Sequence, residues 1–226
     1  MESNLEEIWS KIRLLMMSHP WHGIPIGKQS PSIVTTYVEI VPTDTVKYEI
    51  EKQSGFLKVD RPQKYSNICP TPYGFIPQTL CSANVAEYCM LKTGRKNIVG
   101  DGDPLDICVV TEKPLNHSRI LLQAIPIGGL RLIDNNEADD KIIAVMKNDA
   151  IFSEWQDIGD CSESFIERLK HYFLTYKDAP GSQGKRCEIE SVYGKDEAYE
   201  VINAASKDYL AKYEDLNSLL NREDIL

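Results

Sequence analysis

Three carboxylates lie close together in the chain at Asp101, Asp103 and Asp106, just before an apolar stretch. Gly102 and Pro104 favour a tight turn that can direct all three carboxylates toward one point. Clustered carboxylates repel one another unless solvent or a cation separates them. Hard oxygen donors without nearby histidine or cysteine favour magnesium, manganese or calcium over zinc. A solvated acidic turn explains the run equally well, whereas an EF-hand loop counted from Asp101 lacks the required glycine at its sixth position.

A second acidic group, made of Asp134, Glu137, Asp139 and Asp140, follows the apolar stretch 130–133. By itself this group is typical of a hairpin with a solvated acidic tip. Two acidic groups at strand ends of one small β-rich domain more strongly indicate a shared site. One group can then hold a metal ion, and the other can complete its coordination or hold a second ion.

Cations and phenols occur at similar strand-edge positions. A charged phosphoryl substrate with several metal ions is the chemistry that best uses such a mixture. Lys47 and Glu49 must face the same side of a strand, because side chains alternate, and Tyr48 must face the other side. If Tyr48 enters the core, Lys47 and Glu49 share an outward or cavity face; otherwise the pair is buried and needs partners. Each candidate can also be a plain surface charge or a packed aromatic: Lys47, Arg61, Lys64, Lys141, Lys177, Tyr73 and Tyr176.

Hydrophobic periodicity predicts the elements that must position these residues. Short β-branched segments between residues 33 and 147 predict strands, and helical spacing predicts a helix from Phe165 to Tyr176 and another over 196–212. Ser164 and Glu167 form a candidate capping box for the first of these helices. The segment 81–99 has no clear period and is predicted to be a long loop or excursion. The predicted strands are IVTTYVEIV, KYEIE, FLKVD, DICVVT, RILLQAIPI, LRLID and KIIAVM.

Helical spacing also predicts an N-terminal amphipathic helix over 4–18, which Pro20 ends. Strands followed by helices indicate an α+β domain with a barrel or a strongly bent sheet at its centre. A second proline-containing stop, at 178–181, ends the helix that carries Tyr176. The apolar stripe of the N-terminal helix consists of Leu5, Ile8, Trp9, Ile12, Leu15 and Met16.

The composition is that of an ordinary globular protein, with 226 residues, 42% hydrophobic and 26% charged residues. The net charge of -9 argues against a general nucleic-acid binder but not against a small anionic substrate bound through metal ions. The N-terminus opens with acidic residues and lacks the features of a signal peptide, and no run of eighteen apolar residues occurs. The six cysteines show no C-x-x-C spacing, which favours free thiols. These observations predict a cytoplasmic protein without a membrane partner.

The order and spacing of these motifs resemble family I soluble inorganic pyrophosphatases over roughly residues 33–180. The resemblance implies one domain spanning 1–226, built as a five-stranded OB-type closed β-barrel flanked by helices, with an added N-terminal helix and a longer C-terminal helical tail. It also implies a homo-oligomer, either a hexamer or a dimer. The motifs that carry it are YVEI at 37–40, KYEI at 47–50, Gly55 with VDR at 59–61, PYGFIP at 72–77, DGDPLD at 101–106, Asp134 with Asp139 and Lys141, and HYF at 171–173 with Tyr176-Lys177.

The same resemblance implies magnesium-dependent hydrolysis of pyrophosphate to two orthophosphates, without a covalent enzyme intermediate. Several Mg2+ ions are implied per site, with Mn2+ as a possible substitute. Asp103 is implied as the general base for the attacking water, and Tyr73 as a hydrogen-bond donor near the reacting atoms. Glu39 is implied as a carboxylate that does not bind metal itself but supports the residues that do. The implied metal ligands are Asp101, Asp106, Asp134, Asp139 and Glu49, and the implied phosphate-binding residues are Lys47, Arg61, Lys141, Tyr176 and Lys177.

Three other functions fit parts of the sequence. Asp101 and Asp103 could form the D-x-D metal motif of a nucleotide-sugar transferase, although no nucleotide-binding βαβ pattern is present. An OB-type barrel could bind oligonucleotides, which the negative charge disfavours. A metal buffer would bind magnesium or calcium without turnover. Within the resemblance, Cys69 stands where the family commonly has a tyrosine, so restoring the hydroxyl by Cys69→Tyr is expected to raise activity or change the metal preference.

Overall fold

A computed structural model of the chain describes residues 19–64, 66–177 and 187–220. The N-terminal helix predicted over 4–18 and the helix stop predicted at 178–181 lie outside these ranges. None of the helices in the described ranges combines the length and the apolar character that a membrane crossing requires.

The centre of the molecule is a mixed sheet in which five strands form a ring. Strand β1 pairs with β4, β4 with β6, β6 with β9, β9 with β7, and β7 returns to β1. The β6–β9 pair is parallel and the other four pairs of the ring are antiparallel. The strands are β1 (Val34–Ile40), β2 (Val46–Ile50), β3 (Leu57–Pro62), β4 (Tyr73–Phe75), β5 (Val99–Gly100), β6 (Asp106–Val110), β7 (Ile120–Asp134), β8 (Glu137–Ala138), β9 (Lys141–Met146) and β10 (Cys187–Gly194).

Strand β7 is longer than predicted, because the two predicted strands around 120–133 are one continuous strand of 15 residues. Gly128 and Gly129 mark the predicted break, yet both lie within the strand. A Cβ atom at Gly129 would lie 2.4 Å from the Tyr193 hydroxyl oxygen, and one at Gly128 would lie 2.4 Å from the Tyr193 carbonyl oxygen. The glycines therefore allow β10 to pack closely on β7 rather than ending the strand.

A separate two-stranded sheet, formed by β2 and β3, lies beside the ring. Glu49 is opposite Lys58, and Lys47 is opposite Arg61, with a register shift between Lys47 and Tyr48. This hairpin carries charged residues on the face toward the candidate site. Tyr48 on the other face is half-buried rather than part of the core.

Three helices flank the ring in the described ranges. The side chains of α1 and α3 pack in one hydrophobic cluster with the ring, where Val85 and Cys89 lie with Val201 and Ile202. The buried side of α2 packs in a second cluster that also contains Tyr73. The helices are α1 (Ala83–Thr93), α2 (Glu163–Thr175) and α3 (Lys195–Leu220), with short 3-10 turns at Phe152–Glu154 and Ile158–Asp160.

The prediction of a loop over 81–99 is wrong, because α1 occupies most of this segment. The carboxylate of Asp208, far away in the sequence, accepts hydrogen bonds from the backbone N–H groups of Ser82, Asn84 and Val85 at 2.9, 2.9 and 3.1 Å. These bonds satisfy N–H groups that a helix start leaves unpaired. Gly94 ends the helix in the left-handed conformation at φ 70°. The helix start thus depends on a tertiary contact that local periodicity does not reveal.

The structure also differs from the prediction at the start of α2 and in the number of strands. The N-cap of α2 is Ser162, whose side chain accepts from the N–H of Phe165, so the predicted capping box on Ser164 and Glu167 is wrong. Strands β4, β5, β8 and β10 were not predicted. The predicted helix over 196–212 is confirmed within α3.

Candidate active site

A cavity of about 570 Å3 lies between the ring, the β2–β3 hairpin and the end of α2. It brings together every residue to which the family resemblance gives a role, although these residues come from seven separate parts of the chain. The lining includes Glu39, Lys47, Glu49, Arg61, Tyr73, Asp101, Asp103, Asp106, Asp134, Asp139, Lys141, Tyr176 and Lys177.

A left-handed glycine and three hydrogen bonds, two of them with Cys81, fix the shape of the acidic turn that starts at Asp101. Gly102 adopts φ 74°, a left-handed conformation that favours glycine. The Asp101 carboxylate accepts a hydrogen bond from the Asp103 N–H at 2.8 Å. The Gly102 N–H donates to the Cys81 carbonyl at 3.0 Å, and the Cys81 N–H donates to the Asp103 carbonyl at 2.8 Å. This turn presents the three carboxylates of Asp101, Asp103 and Asp106 to the same cavity.

Lys141 stands between two of the candidate metal ligands. Its ammonium group contacts the carboxylates of Asp106 and Asp139. The parallel pairing of β6 and β9 explains the first contact, because it sets Asp106 opposite Lys141. Burial lowers the pKa of Lys141, but the charges of Asp106 and Asp139 outweigh it and hold the pKa well above its ordinary value. The hydroxyl of Tyr73 also donates to Asp106, so two donors converge on this carboxylate.

A second lysine–carboxylate contact closes the other side of the cavity. Lys177, just after the end of α2, contacts the carboxylate of Asp134 at the end of β7. Burial opposes the positive charge, but Tyr176 and Asp134 raise the pKa of Lys177 above its ordinary value. The contact joins the end of β7 to the end of α2.

The β2–β3 hairpin supplies the third wall of the cavity. Lys47 Nζ lies 2.8 Å from Asp60 Oδ2 and 3.2 Å from Glu49 Oε2. Arg61 Nη1 lies 2.6 Å from the same Asp60 oxygen, and its guanidinium carbon lies 5.5 Å from the centre of the Tyr176 ring. The predicted alternation is confirmed, because Lys47 and Glu49 both face the cavity.

Glu39 lies behind these residues and connects β1 to the hairpin. Its carboxylate accepts a hydrogen bond from the Ile50 N–H at 2.7 Å. Burial, together with the nearby charge of Asp106, raises the pKa of Glu39 to about 8. Burial and the charge of Asp139 likewise raise the pKa of Asp101 to about 9. Burial and neighbouring carboxylates therefore both favour the uncharged forms of Glu39 and Asp101.

The donor set fits hard divalent cations. In the described residues, no three histidine, cysteine or acidic side chains are close enough to enclose a metal ion as they stand. Several of the carboxylates instead contact the ammonium groups of Lys141 and Lys177. Among the described residues, the lining nevertheless offers only oxygen ligands for a metal. Burial and the charge of Asp139 raise the pKa of Asp101, and a bound cation would favour its charged form instead.

Two predicted candidates do not line the cavity. Asp140 points away from it and is buried against Arg131, with Nη2 and Oδ2 3.0 Å apart, and against the Tyr193 hydroxyl, also at 3.0 Å. Its place in the acidic group is thus structural, because it compensates a buried arginine. Lys64 donates to the carbonyl oxygen of Lys177 and supports the end of α2.

Sequence reasoning missed several charged residues of the cavity, among them Lys52 and Asp60. Lys52 contacts the carboxylate of Asp103 from the turn between β2 and β3. Asp60 links Lys47 to Arg61 across the hairpin. The alternation that placed Lys47 and Glu49 on one face could have identified Asp60 on the neighbouring strand, but the reach of Lys52 depends on how the hairpin folds over the acidic turn.

Comparisons with known proteins identify the family of this chain. A family model described as inorganic pyrophosphatase matches residues 36–210. An inorganic pyrophosphatase of Chlamydia caviae is 51% identical over 203 residues, which cover 88% of this chain and 94% of that protein. A soluble inorganic pyrophosphatase of Zea mays is 33% identical over 209 residues, which cover 92% and 87%. The crystal structure of the inorganic pyrophosphatase from Thermus thermophilus matches with a TM-score of 0.71 at 28% identity, covering 84% of this chain and 98% of that chain.

The chain therefore belongs to the inorganic pyrophosphatase family and is an enzyme of the inorganic diphosphatase class. The resemblance to family I that the sequence motifs carried is confirmed. The nucleotide-sugar transferase, oligonucleotide-binding and metal-buffer alternatives receive no support from these relatives.

Proposed function

We propose that this chain hydrolyses inorganic pyrophosphate to two orthophosphates in a magnesium-dependent reaction, without a covalent enzyme intermediate. The observation that carries the proposal is the single cavity in which carboxylates meet lysine, arginine and tyrosine donors. Such a site can bind metal ions and a phosphate anhydride together. The proposal extends to a cytoplasmic homo-oligomer whose chain forms one domain around an OB-type barrel.

The proposed magnesium ligands come from two strand ends and the hairpin. They are carboxylates, which suit Mg2+ as hard oxygen donors. Bound magnesium would neutralise substrate charge and lower the pKa of a coordinated water. Mn2+ is a candidate substitute with similar ligand preferences. The proposed ligands are Asp101, Asp106, Asp134, Asp139 and Glu49.

Asp103 is proposed as the general base that takes a proton from the attacking water. Its carboxylate is half-exposed at the cavity mouth, which gives it access to solvent water, and Lys52 contacts it there. Tyr73 is proposed to hold the ligand carboxylate of Asp106 and to donate near the reacting phosphate. Glu39 is proposed to support this arrangement from behind through its bond to Ile50.

The phosphate groups are proposed to bind to the cations that now contact carboxylates. Lys141 and Lys177 contact proposed metal ligands, so metal binding would leave their ammonium groups available to the substrate. Their positive charge would stabilise negative charge that develops on the leaving phosphate. The full proposed set is Lys47, Arg61, Lys141, Tyr176 and Lys177.

The test is phosphate release from pyrophosphate by the purified full chain, with magnesium and with excess EDTA. We expect rapid release that EDTA abolishes and added magnesium restores. A folded sample that releases no phosphate with magnesium or manganese would overturn the proposed function. Release that continues unchanged in EDTA would overturn the proposed metal dependence alone.

A further inference from the structure

Lys52 lines the cavity and has no role in the proposed reaction, although it contacts the proposed base. Its ammonium group contacts Oδ1 of the Asp103 carboxylate, and Nζ also lies 3.4 Å from the Gly102 carbonyl oxygen. Among the ion pairs of the described residues, Lys52 is the only cation that contacts Asp103. Lys141 and Lys177 instead contact carboxylates that are proposed metal ligands. Lys52 is therefore placed to act on the base rather than on the metal ligands.

The Asp103 side chain is less constrained than the Asp103 backbone. The Asp103 N–H donates to Asp101 Oδ1, and the Asp103 carbonyl accepts from the Cys81 N–H, both at 2.8 Å. The side chain is 50% exposed, whereas its Oδ1 atom is buried and accepts no hydrogen bond from a described residue. The charge of Lys52 is therefore the only polar partner that the described residues give to Oδ1, and opposite charges in contact attract. Without this attraction the carboxylate would be able to rotate between staggered positions.

The turn that carries Lys52 is held by hydrogen bonds and by packing. The Glu51 carboxylate accepts from the Ser54 N–H at 2.7 Å, and the Gly55 N–H donates to the Glu51 carbonyl at 2.9 Å. His19 Nε2 lies 3.2 Å from the Lys52 carbonyl oxygen, and a Cβ atom at Gly55 would lie 2.9 Å from His19 Cδ2. These contacts fix the backbone from which the Lys52 side chain reaches the acidic turn.

We infer that Lys52 is a positioning residue for Asp103: it holds Oδ1 and thereby orients Oδ2 to accept the proton of the attacking water. A general base must lie within hydrogen-bond reach of the proton that it takes, and small errors of placement lower the rate steeply. In this step the water loses a proton to Asp103, its oxygen bonds to one phosphorus, and the bond from that phosphorus to the bridging oxygen breaks. Lys52 keeps its own protons. The inference rests on the proposed function, because it requires Asp103 to act as the base.

The exposure of Lys52 argues against the alternative that it binds a phosphate group of the substrate. Its side chain is 50% exposed, whereas that of Lys47 is 17% exposed and that of Lys141 is 2% exposed. Water and salt screen an exposed charge, so it attracts an anion at a distance less strongly than a buried charge does. Its direct contact with Asp103 is the interaction that screening weakens least.

The test is steady-state phosphate release from pyrophosphate by the full chain with magnesium, comparing the wild type with Lys52→Met. We expect kcat to fall by about ten-fold while KM changes by less than about two-fold, a smaller loss than removal of the base itself causes. Lys52→Arg retains the charge and should recover most of the lost kcat. Thermal unfolding of Lys52→Met should match the wild type, because an exposed ion pair contributes little to stability. The matched control is Lys113→Met, at an exposed lysine that does not line the cavity, and it should keep wild-type kinetics.

A double variant separates a positioning role from the other roles. If Lys52 acts through Asp103, adding Lys52→Met to Asp103→Asn should lower kcat by less than about two-fold further, because the two residues act as a unit. A further loss of about ten-fold in that background, or a rise in KM alone, would identify Lys52 as a phosphate-binding residue and overturn the inference. Wild-type kcat in Lys52→Met would also overturn it, as would a loss that follows a lowered melting temperature and that Lys52→Arg does not recover. A folded wild type that releases no phosphate would overturn the proposed function itself, so the two failures are distinguishable.

Discussion

Asp140 and Arg131 form a buried ion pair immediately beside the candidate site, with Arg131 Nη2 and Asp140 Oδ2 3.0 Å apart. Arg131 is fully buried and Asp140 is 2% exposed. The guanidinium also contacts Glu197 at 2.9 Å. Because Asp139 and Lys141 flank Asp140, the pair anchors the chain between two residues that line the cavity.

Removal of this buried carboxylate should strongly destabilise the protein. Asp140→Ala leaves the Arg131 charge without its buried carboxylate partner, and we expect the free energy of unfolding to fall by about 3–5 kcal/mol. Urea unfolding monitored by circular dichroism measures the change. The control is Glu167→Ala, which breaks an exposed ion pair with Lys170 and should change stability by less than about 1 kcal/mol. Equal losses in the two variants would show that Arg131 does not depend on Asp140.

Asp103→Asn should remove most of the turnover while the fold and magnesium binding persist. The amide cannot accept the proton of the attacking water, and loss of a general base typically costs about 10^2–10^4-fold in rate. Phosphate release from pyrophosphate measures the rate, and calorimetry measures magnesium binding. Asp196→Asn, at an exposed aspartate at the start of α3, should keep normal turnover. Near-normal turnover by Asp103→Asn would refute its assignment as the base.

The structure changes the expected result of Cys69→Tyr. Cys69 is fully buried in the cluster that contains Tyr172 and Cys108, and it is not part of the cavity lining. A tyrosine ring would overpack this position, so we expect a loss of about 1–3 kcal/mol in stability rather than a gain in activity. Thermal unfolding and the magnesium-dependent rate test this together, with Cys69→Ser as the small polar control. A stable variant with higher activity would support the original expectation of a useful hydroxyl.

His22 should make the protein less stable in mild acid. Burial, with a smaller contribution from the charge of His19, lowers the pKa of His22 from 6.5 to about 4. Between these values the unfolded state binds the proton more readily, so stability falls as the pH drops from about 6.5 to 4. After allowance for its partial exposure, we expect a contribution of about 1–2 kcal/mol.

Urea unfolding at several pH values tests this, using the difference between the wild type and His22→Gln. The difference isolates His22 from other titrating groups, because they remain in both proteins. His22 Nδ1 lies 2.9 Å from the Tyr209 hydroxyl, so the variant can also lower stability at every pH. The prediction concerns how the stability difference between the two proteins changes with pH. A difference that stays constant between pH 4 and 6.5 would contradict it.

Much of the candidate site could be predicted because local rules constrain it. Alternation along one strand placed Lys47 and Glu49 on the same face, and the short turn around Gly102 brought its neighbouring carboxylates together. The strand pattern also identified most of the ring, since short runs rich in β-branched residues between turn residues indicate strands. These features depend on residues close together in the sequence, where backbone geometry leaves few alternatives.

The remaining features depend on contacts between distant residues. Helix α1 begins where Asp208 caps its N–H groups, and Asp140 is buried because Arg131 compensates its charge. The sequence by itself therefore determined the family, and its motif spacing identified most of the residues that line the candidate site. Only the tertiary structure decided which acidic residue faces the cavity and which faces the core, because burial and charge pairing arise when separate elements pack together.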